Sequence, residues 1–287
     1  MSFFSYTNAQ LQAEDVALSD IAEQFGTPCY VYSKAAITER WQHFETALQH
    51  INHQICYAVK ANSNIAVLQL LARLGAGFDI VSGGELARVL KAGGDPDKVV
   101  FSGVGKRVDE IELALQAGIH CFNVESVEEL LRIQKVAEHC NATAPVSLRV
   151  NPDVDPKTHP YIATGLKESK FGIAISQAEA VYQQAADLSN IKIVGIDCHI
   201  GSQLLDMKPI FEALEKVLAL VDRLQSKGIE VQHLDMGGGF GIRYQDETEP
   251  SLNEFGKNLQ QQLDGRALKL FLEPQRQNGR RNGHQQK

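Results

Sequence analysis

The sequence predicts an α/β fold in which eight strand and helix units close into a TIM-type (β/α)₈ barrel. Two observations predict it. Between residues 51 and 274, short β-branched runs alternate with amphipathic helical stretches, and several of those stretches end on a glycine. A doubly wound open sheet is the alternative fold with the same alternation.

The eight predicted strands are short apolar runs. They lie near residues 55–59, 78–81, 99–102, 121–124, 146–150, 194–199, 231–236 and 268–272. Helices are predicted between them, for example over 65–74, 84–92, 108–117, 127–139, 177–188 and 209–227. Four helices stop at glycines, which accept the left-handed conformation of a helix end, namely Gly75, Gly93, Gly118 and Gly228.

Three domains are predicted. Residues 1–34 precede the barrel and include a strand-like piece at 29–32 that lies at an edge or pairs with something outside the chain. Residues 35–274 form the barrel. Residues 275–287 carry four basic residues, no acidic residue and no aliphatic residue, so we expect a disordered basic tail. The eighth strand is therefore expected to lack its helix.

Composition excludes several classes of function. The chain has 287 residues, 44% of them hydrophobic and 22% charged, which is typical of a globular protein. Its net charge of −7 argues against a nucleic-acid surface, and no apolar run approaches a membrane span. No secretory signal is visible, so a cytoplasmic location is expected. Five dispersed cysteines without a C-x-x-C pair suit reduced thiols and predict no metal site.

Chemically distinctive residues fall at the strand ends, where barrel active sites lie. Lys60 ends the first strand, and burial there should lower the pKa of its amine, as a Schiff-base lysine requires. The alternative is a surface lysine that extends past the strand end. Three consecutive glycines, 237–239, end the seventh strand and could hold an anion with their N–H groups, although a plain flexible turn has the same composition.

Two further strands end in polar residues. His199 and Ser202 follow the sixth strand, and a buried structural histidine is the simpler interpretation of His199. Glu273 ends the eighth strand and requires a cation, either a protonated ring nitrogen or Arg276. A lysine, a phosphate cradle, an imidazole and an acid together match the requirements of pyridoxal phosphate. No H-E-x-x-H or P-loop element is present.

Six segments in order resemble the diaminopimelate decarboxylase family, which belongs to the alanine-racemase-like, fold type III pyridoxal phosphate enzymes. They are YAVKAN at 57–62, FDIVSGGEL at 78–86, HPYIATGLKESKFGI at 159–173, HIGSQ at 199–203, LDMGGGFG at 234–241 and FLEP at 271–274. The resemblance implies decarboxylation of meso-2,6-diaminopimelate to L-lysine and carbon dioxide, the last step of lysine biosynthesis. It implies an amino-acid substrate and a homodimer. Ornithine or arginine decarboxylase, and a non-catalytic cofactor-binding barrel, are the alternatives.

The resemblance also implies roles for individual residues. Lys60 would bind the cofactor covalently, and His199 would stack on its ring. Glu273 would bond the pyridine nitrogen, and Arg276 would bind the substrate carboxylate. The remaining cofactor-binding residues would be Asp79, Ser202, Gly237, Gly238 and Gly239.

The chain departs from the family after Glu273. Gln275 stands where the family's E-P-G-R element has glycine, and the following residues resemble nothing in the family. We therefore expect a barrel without its last helix and without the family's C-terminal β-domain, and impaired activity.

Overall fold

The computed structural model describes residues 3–155, 171–243 and 246–274, together with the backbone of 283–284. A small antiparallel sheet and a helix precede the barrel. The strands are Phe4–Thr7 (β1), Gln10–Ala13 (β2) and Val16–Ala17 (β3), and the helix is Leu18–Phe25 (α1). They share a buried cluster of their own, centred on Phe4, Ala13 and Leu18. The short strand Val31–Tyr32 (β4) and the helix Lys34–Leu48 (α2) then lead into the barrel.

Nine parallel strands form the main sheet. In chain order they are His53–Ala58 (β5), Gly77–Ile80 (β6), Val99–Phe101 (β7), Cys121–Val124 (β8), Ala144–Asn151 (β9), Ile173–Ala174 (β10), Ile191–Asp197 (β11), His233–Asp235 (β12) and Lys269–Leu272 (β13). All except β10 form a ring, because β13 pairs with β5 and β8 pairs with β9. The sheet is therefore closed, which confirms the predicted barrel and excludes the open alternative.

Helices surround the ring. They are Ile65–Arg73 (α3), Gly83–Lys91 (α4), Val108–Ala117 (α5), Val127–His139 (α6), Ile175–Ala186 (α7), Lys208–Ser226 (α8) and Leu252–Leu263 (α9). Ser82 and Ser126 begin α4 and α6, since each hydroxyl accepts a backbone N–H of the first turn. The four predicted glycine stops all have positive φ, between 70° and 94°. No helix in the described part of the chain is long and apolar enough to span a membrane.

The helix α9 is weakly marked in the sequence. Most of its residues are polar, and only Leu252, Phe255, Leu259 and Leu263 form a narrow apolar stripe at helical spacing. The helix packs against α2, where Gly256 allows close approach of the two backbones. A Cβ at that position would lie 2.0 Å from the carbonyl oxygen of Ala47. Within the described ranges, no helix follows β13.

The strands place alternate residues inside and outside the ring. The outward side chains pack under the helices in the large core. Five inward side chains from five strands form a separate buried cluster that fills the middle of the barrel, namely Cys56, Val100, Cys121, Val194 and Phe271. Further along the strands the inward positions turn polar, as at Glu273 two residues after Phe271. The apolar cluster therefore forms the bottom of a polar mouth.

The described backbone near the C-terminus forms one more strand. Gly283–His284 (β14) pairs antiparallel with β4, with Gly283 opposite Tyr32. The segment 29–32 therefore has a partner within the chain, unlike the expected edge position or outside partner. Strands of two residues leave no pattern in the sequence that would predict such a pairing. The division of the chain at residues 34 and 274 stays a prediction.

A buried lysine joins β7 to β8 and should matter for stability. The Nζ of Lys106 donates to the carbonyl oxygens of Gly103 and Asn123 at 2.8 and 2.7 Å and to Glu129 Oε1 at 2.6 Å. The side chain of Lys106 is fully buried. We expect Lys106→Ala to lower the free energy of unfolding by about 3–5 kcal/mol, because it leaves a buried carboxylate without its cation. Urea unfolding measures the change.

The neighbouring residue provides a matched control. Arg107 pairs with Asp109 at 3.0 Å, and both side chains are exposed. Arg107→Ala should change the free energy of unfolding by less than about 1 kcal/mol. Equal losses in the two variants would contradict the assigned role of burial.

Candidate functional site

Lys60 lies at the mouth of the barrel, two residues after β5, in the short 3₁₀ turn Val59–Ala61. Its Nζ donates to Oδ2 of Asp79 at 2.8 Å, and the Asp79 side chain is fully buried at the end of β6. Because β5 and β6 are neighbours, the two residues meet at the same edge of the sheet. The amine therefore lies against a buried carboxylate at the mouth, while 38% of the Lys60 side chain is exposed.

The predicted direction of the Lys60 pKa is wrong. Burial alone lowers this pKa, but the carboxylates of Asp79 and Glu273 raise it, and their combined effect is larger. The pKa of Lys60 therefore lies above its ordinary value in the protein without ligands. Desolvation alone predicts a lowered pKa, whereas the acidic neighbours hold the amine as an ammonium.

The glycine turn after β12 is fixed by close backbone contacts. Gly237 and Gly239 have φ values of +61° and +109°, in the region that favours glycine. A Cβ on Gly238 would lie 2.2 Å from the carbonyl oxygen of Glu273, and one on Gly239 would lie 2.4 Å from that of Gly201. The turn is therefore a compact structure in which side chains do not fit.

His199 packs directly on this turn. The N–H of Gly238 donates to its Nδ1 at 3.3 Å, and a Cβ on Gly237 would lie 2.5 Å from the same atom. The loop that carries Ser202 also reaches the turn, since the N–H of Leu204 donates to the carbonyl oxygen of Gly239 at 2.7 Å. The imidazole and the Ser202 loop thus lie beside the three glycines.

Glu273 lies next to the turn and is buried, with 5% exposure. Its N–H donates to the carbonyl oxygen of Gly237 at 2.7 Å, which fixes the start of the side chain. Among the described residues its Oε1 has no hydrogen-bond partner. Burial raises the pKa of Glu273 well above its ordinary value, and repulsion from Asp235, Asp79 and Asp197 adds to the increase. Within the described ranges, nothing donates a hydrogen bond to Oε1 of this carboxyl group.

Three important residues of the mouth were missed. Asp235 accepts the N–H of Gly237 at 2.8 Å and so holds the glycine turn. Arg149 bonds Glu125 at 2.9 Å and lies 3.8 Å from Asp197. The sequence signal for these residues was the alternation of side chains along a strand. Arg149, Asp197 and Asp235 are polar residues within otherwise apolar strands.

Two predicted elements lie outside the described residues. They are Arg276 and the part of the HPYIATGLKESKFGI segment from 159 to 170.

His199 should make the protein less stable in acid. Burial, then the positive charges of Arg149 and Lys60, lower the pKa of His199 from 6.5 to about 3. Between these two values the unfolded chain binds a proton that the native imidazole does not bind, so stability falls as the pH decreases. We expect His199→Gln to reduce this decline between about pH 6 and 4, as measured by urea unfolding at each pH. The same replacement at exposed His43 should leave the decline unchanged.

The fold and the site define a class: a closed (β/α)₈ barrel with an amine, a buried acid, a neutral imidazole and a glycine turn at its mouth. A family model described as "Pyridoxal-dependent decarboxylase, pyridoxal binding domain" matches residues 34–278. The chain belongs to this family. The match agrees with the resemblance that the six sequence segments indicate.

Individual relatives are similar over most of this chain. The diaminopimelate decarboxylase of Pseudomonas aeruginosa is 60% identical over 276 residues, which cover 96% of this chain and 66% of that protein. The crystal structure of diaminopimelate decarboxylase from Helicobacter pylori complexed with L-lysine has a TM-score of 0.88 at 41% identity, covering 91% of this chain and 66% of that chain. A lysine/ornithine decarboxylase from Vibrio vulnificus, complexed with putrescine, has a TM-score of 0.77 at 24% identity and supports the fold alone. The chain spans about two thirds of the length of these relatives.

Proposed function

We propose that the barrel binds pyridoxal 5'-phosphate at its mouth and that the protein decarboxylates meso-2,6-diaminopimelate to L-lysine and carbon dioxide. The observation that carries the proposal is the convergence of Lys60, Glu273 and the glycine turn on one mouth. The substrate follows from the names of relatives with up to 60% identity. An amino-acid ligand is consistent with the L-lysine in the Helicobacter pylori structure.

The residues present fit the cofactor. The buried Oε1 of Glu273 has no partner within the described ranges, and a protonated pyridine nitrogen would supply one. The glycine turn has no side chains that would keep a phosphate from its backbone, and in the structure the N–H groups of Gly237 and Gly238 donate to Asp235 and His199. Lys60 offers the one kind of side chain that attaches an aldehyde reversibly.

When bound, pyridoxal phosphate supplies an aldehyde that combines with amines and a ring that accepts the electrons released as carbon dioxide leaves. Lys60 holds a proton on Nζ, shared with Asp79 at 2.8 Å, and loss of that proton exposes the lone pair that an amine needs for attack. Glu273 would keep the ring nitrogen protonated. Its own negative charge is then compensated, which removes the cost of its burial.

The other residues position the cofactor. Gly237, Gly238 and Gly239 would hold the phosphate with Ser202, and Asp235 keeps the turn in place through the N–H of Gly237. His199 is uncharged above about pH 4 because its pKa is near 3, so it can lie against a ring without adding a positive charge. These groups would bind the cofactor and orient it.

The position of Arg276 and its contact with the substrate carboxylate remain part of the proposal. We also propose a cytoplasmic protein that acts as a homodimer, as the family resemblance implies, with residues 35–274 as the cofactor-binding domain.

The experiment is a carbon dioxide release assay on the full chain with added pyridoxal phosphate. We expect release from meso-diaminopimelate and little from ornithine, arginine or lysine. Lys60→Arg is the control, because it keeps a cation against Asp79 and cannot attach the aldehyde. If carbon dioxide were released faster from ornithine or arginine than from meso-diaminopimelate, the protein would be an ornithine or arginine decarboxylase instead. Cofactor binding without release from any of the four would support the non-catalytic barrel.

A further inference from the structure

Three potential metal ligands meet at the end of the barrel opposite to the mouth. His120 immediately precedes β8, Cys121 begins β8, and His233 begins β12. The Nε2 of His120 lies 3.4 Å from Nδ1 of His233, and Cys121 Sγ lies 3.9 Å from Nε2 of the same ring. One ligand atom from each residue can be chosen so that all three lie within 4.8 Å of one another.

The site is enclosed but accessible from one side. Cys121 and His233 are buried, with 0% and 2% exposure, whereas His120 is half-buried and faces the bottom opening. Gly195, opposite His233 on β11, makes room for the imidazole, because a Cβ there would lie 2.1 Å from Nε2. Phe271 packs against both imidazoles, with ring centroids 4.9 and 4.7 Å away.

The protonation states suit metal binding. Burial lowers the pKa of His233 to about 3 and also lowers that of His120, so both imidazoles are neutral at pH 7 and keep a lone pair. Burial raises the pKa of the Cys121 thiol, so the thiol keeps its proton in the absence of a cation. Binding of a divalent cation would replace that proton and release it to solvent.

We propose that His120, Cys121 and His233 form a site for a divalent metal ion of the Zn²⁺ type, with water from the bottom opening as the fourth ligand. Two nitrogens bound to one tetrahedral zinc ion at 2.0–2.1 Å are about 3.4 Å apart, which is the separation of His120 Nε2 and His233 Nδ1. Cys121 contacts the other nitrogen of His233, so the thiolate and the imidazole must shift towards a common point when the ion binds. A set of two imidazoles and one thiolate is typical of zinc and cobalt and unlike a magnesium or calcium site.

The metal would act as a structural link. The strands β8 and β12 are not neighbours, because β9 and β11 lie between them in the ring. A metal held by both would connect distant strands across the bottom of the barrel. His233 and the glycine turn lie at opposite ends of β12, so the metal site is separate from the proposed cofactor site. The ammonium of Lys269, which lowers the pKa of both imidazoles, opposes the cation and should limit its affinity.

The test is a titration of the full chain with Co²⁺ in the absence of pyridoxal phosphate. We expect one equivalent to bind with the absorption of a tetrahedral cobalt–thiolate centre, and Zn²⁺ to displace it. His120→Gln and Cys121→Ser should each lower the Co²⁺ affinity at least about tenfold. Loss of a residue that only supports a metal ligand already costs about that much, and these two residues are ligands themselves. Zn²⁺ should raise the Tm of the unsubstituted protein and not that of His120→Gln.

Two exposed residues of the same types serve as controls. His43→Gln and Cys29→Ser should leave both the spectrum and the affinity unchanged. If Cys121→Ser fails to fold, His120→Gln decides, because His120 is only half-buried. Absence of the thiolate absorption in the unsubstituted chain, or equal affinity in the His120→Gln and His43→Gln variants, would overturn the proposal. The imidazoles would then be a hydrogen-bonded pair, and the cofactor proposal would be unaffected.

Discussion

Gly238→Ala is expected to weaken the binding of pyridoxal phosphate by at least about 100-fold, the typical cost of moving a site by about 1 Å. The new Cβ would lie 2.2 Å from the carbonyl oxygen of Glu273, so the turn and the end of β13 must separate. That movement displaces the N–H groups of the turn and the Glu273 carboxyl group together. Absorbance titration with the cofactor measures the affinity.

Gly105→Ala is the matched control. Gly105 is exposed, and a Cβ there meets no atom within 4 Å. It should bind the cofactor with unchanged affinity and unfold at an unchanged urea concentration. If Gly238→Ala also bound normally, the phosphate would not be held by this turn.

Glu273→Gln is expected to stabilise the protein without cofactor and to weaken cofactor binding at least tenfold, on the scale of about 1.4 kcal/mol per factor of ten. Glu273 is buried with Asp235, Asp79 and Asp197 around it, and Lys60 offsets part of their charge. A neutral amide of the same shape removes this cost, which we place at about 1–3 kcal/mol. The amide cannot compensate a protonated pyridine nitrogen.

The gain should depend on pH in a defined direction. The pKa of Glu273 is raised above its unfolded value of about 4.5, so the native state binds more protons than the unfolded chain above that pH. This carboxyl group therefore costs stability as the pH rises, and the advantage of Glu273→Gln should be larger at pH 8 than at pH 5. Urea unfolding of the cofactor-free proteins at the two pH values measures it. An equal or reversed advantage would contradict the assigned burial of the charge.

The barrel could be predicted because its strands are buried on both faces. Runs such as 121–124 are apolar enough to stand out between helices with clear ends, and glycine stops such as Gly118 mark those ends. The predicted and observed strand limits differ by a few residues, as for β11, which begins at Ile191 and is predicted to begin at 194. The helix α9 has only a narrow apolar stripe in its sequence, because it buries one side against α2 and the ring and leaves the rest exposed.

The site residues with unusual chemistry could be found at the strand ends, but their electrostatics could not. Lys60 stands out in sequence, whereas its raised pKa depends on Asp79 and Glu273, which come from two other strands. Arg149 acts through contacts with Glu125 and Asp197, which follow or end other strands, whereas Asp235 holds the N–H of Gly237 two residues further along the chain. Such neighbours become visible only when the order of strands in the ring is known.

Reduction with borohydride in the presence of pyridoxal phosphate, followed by peptide mass spectrometry, identifies the lysine that binds the cofactor. We expect one modified residue, Lys60, and no modification at this position in Lys60→Arg, while exposed Lys91 stays unlabelled at stoichiometric cofactor. Equal labelling of Lys60 and other exposed lysines, or no labelling of Lys60, would contradict the proposed site.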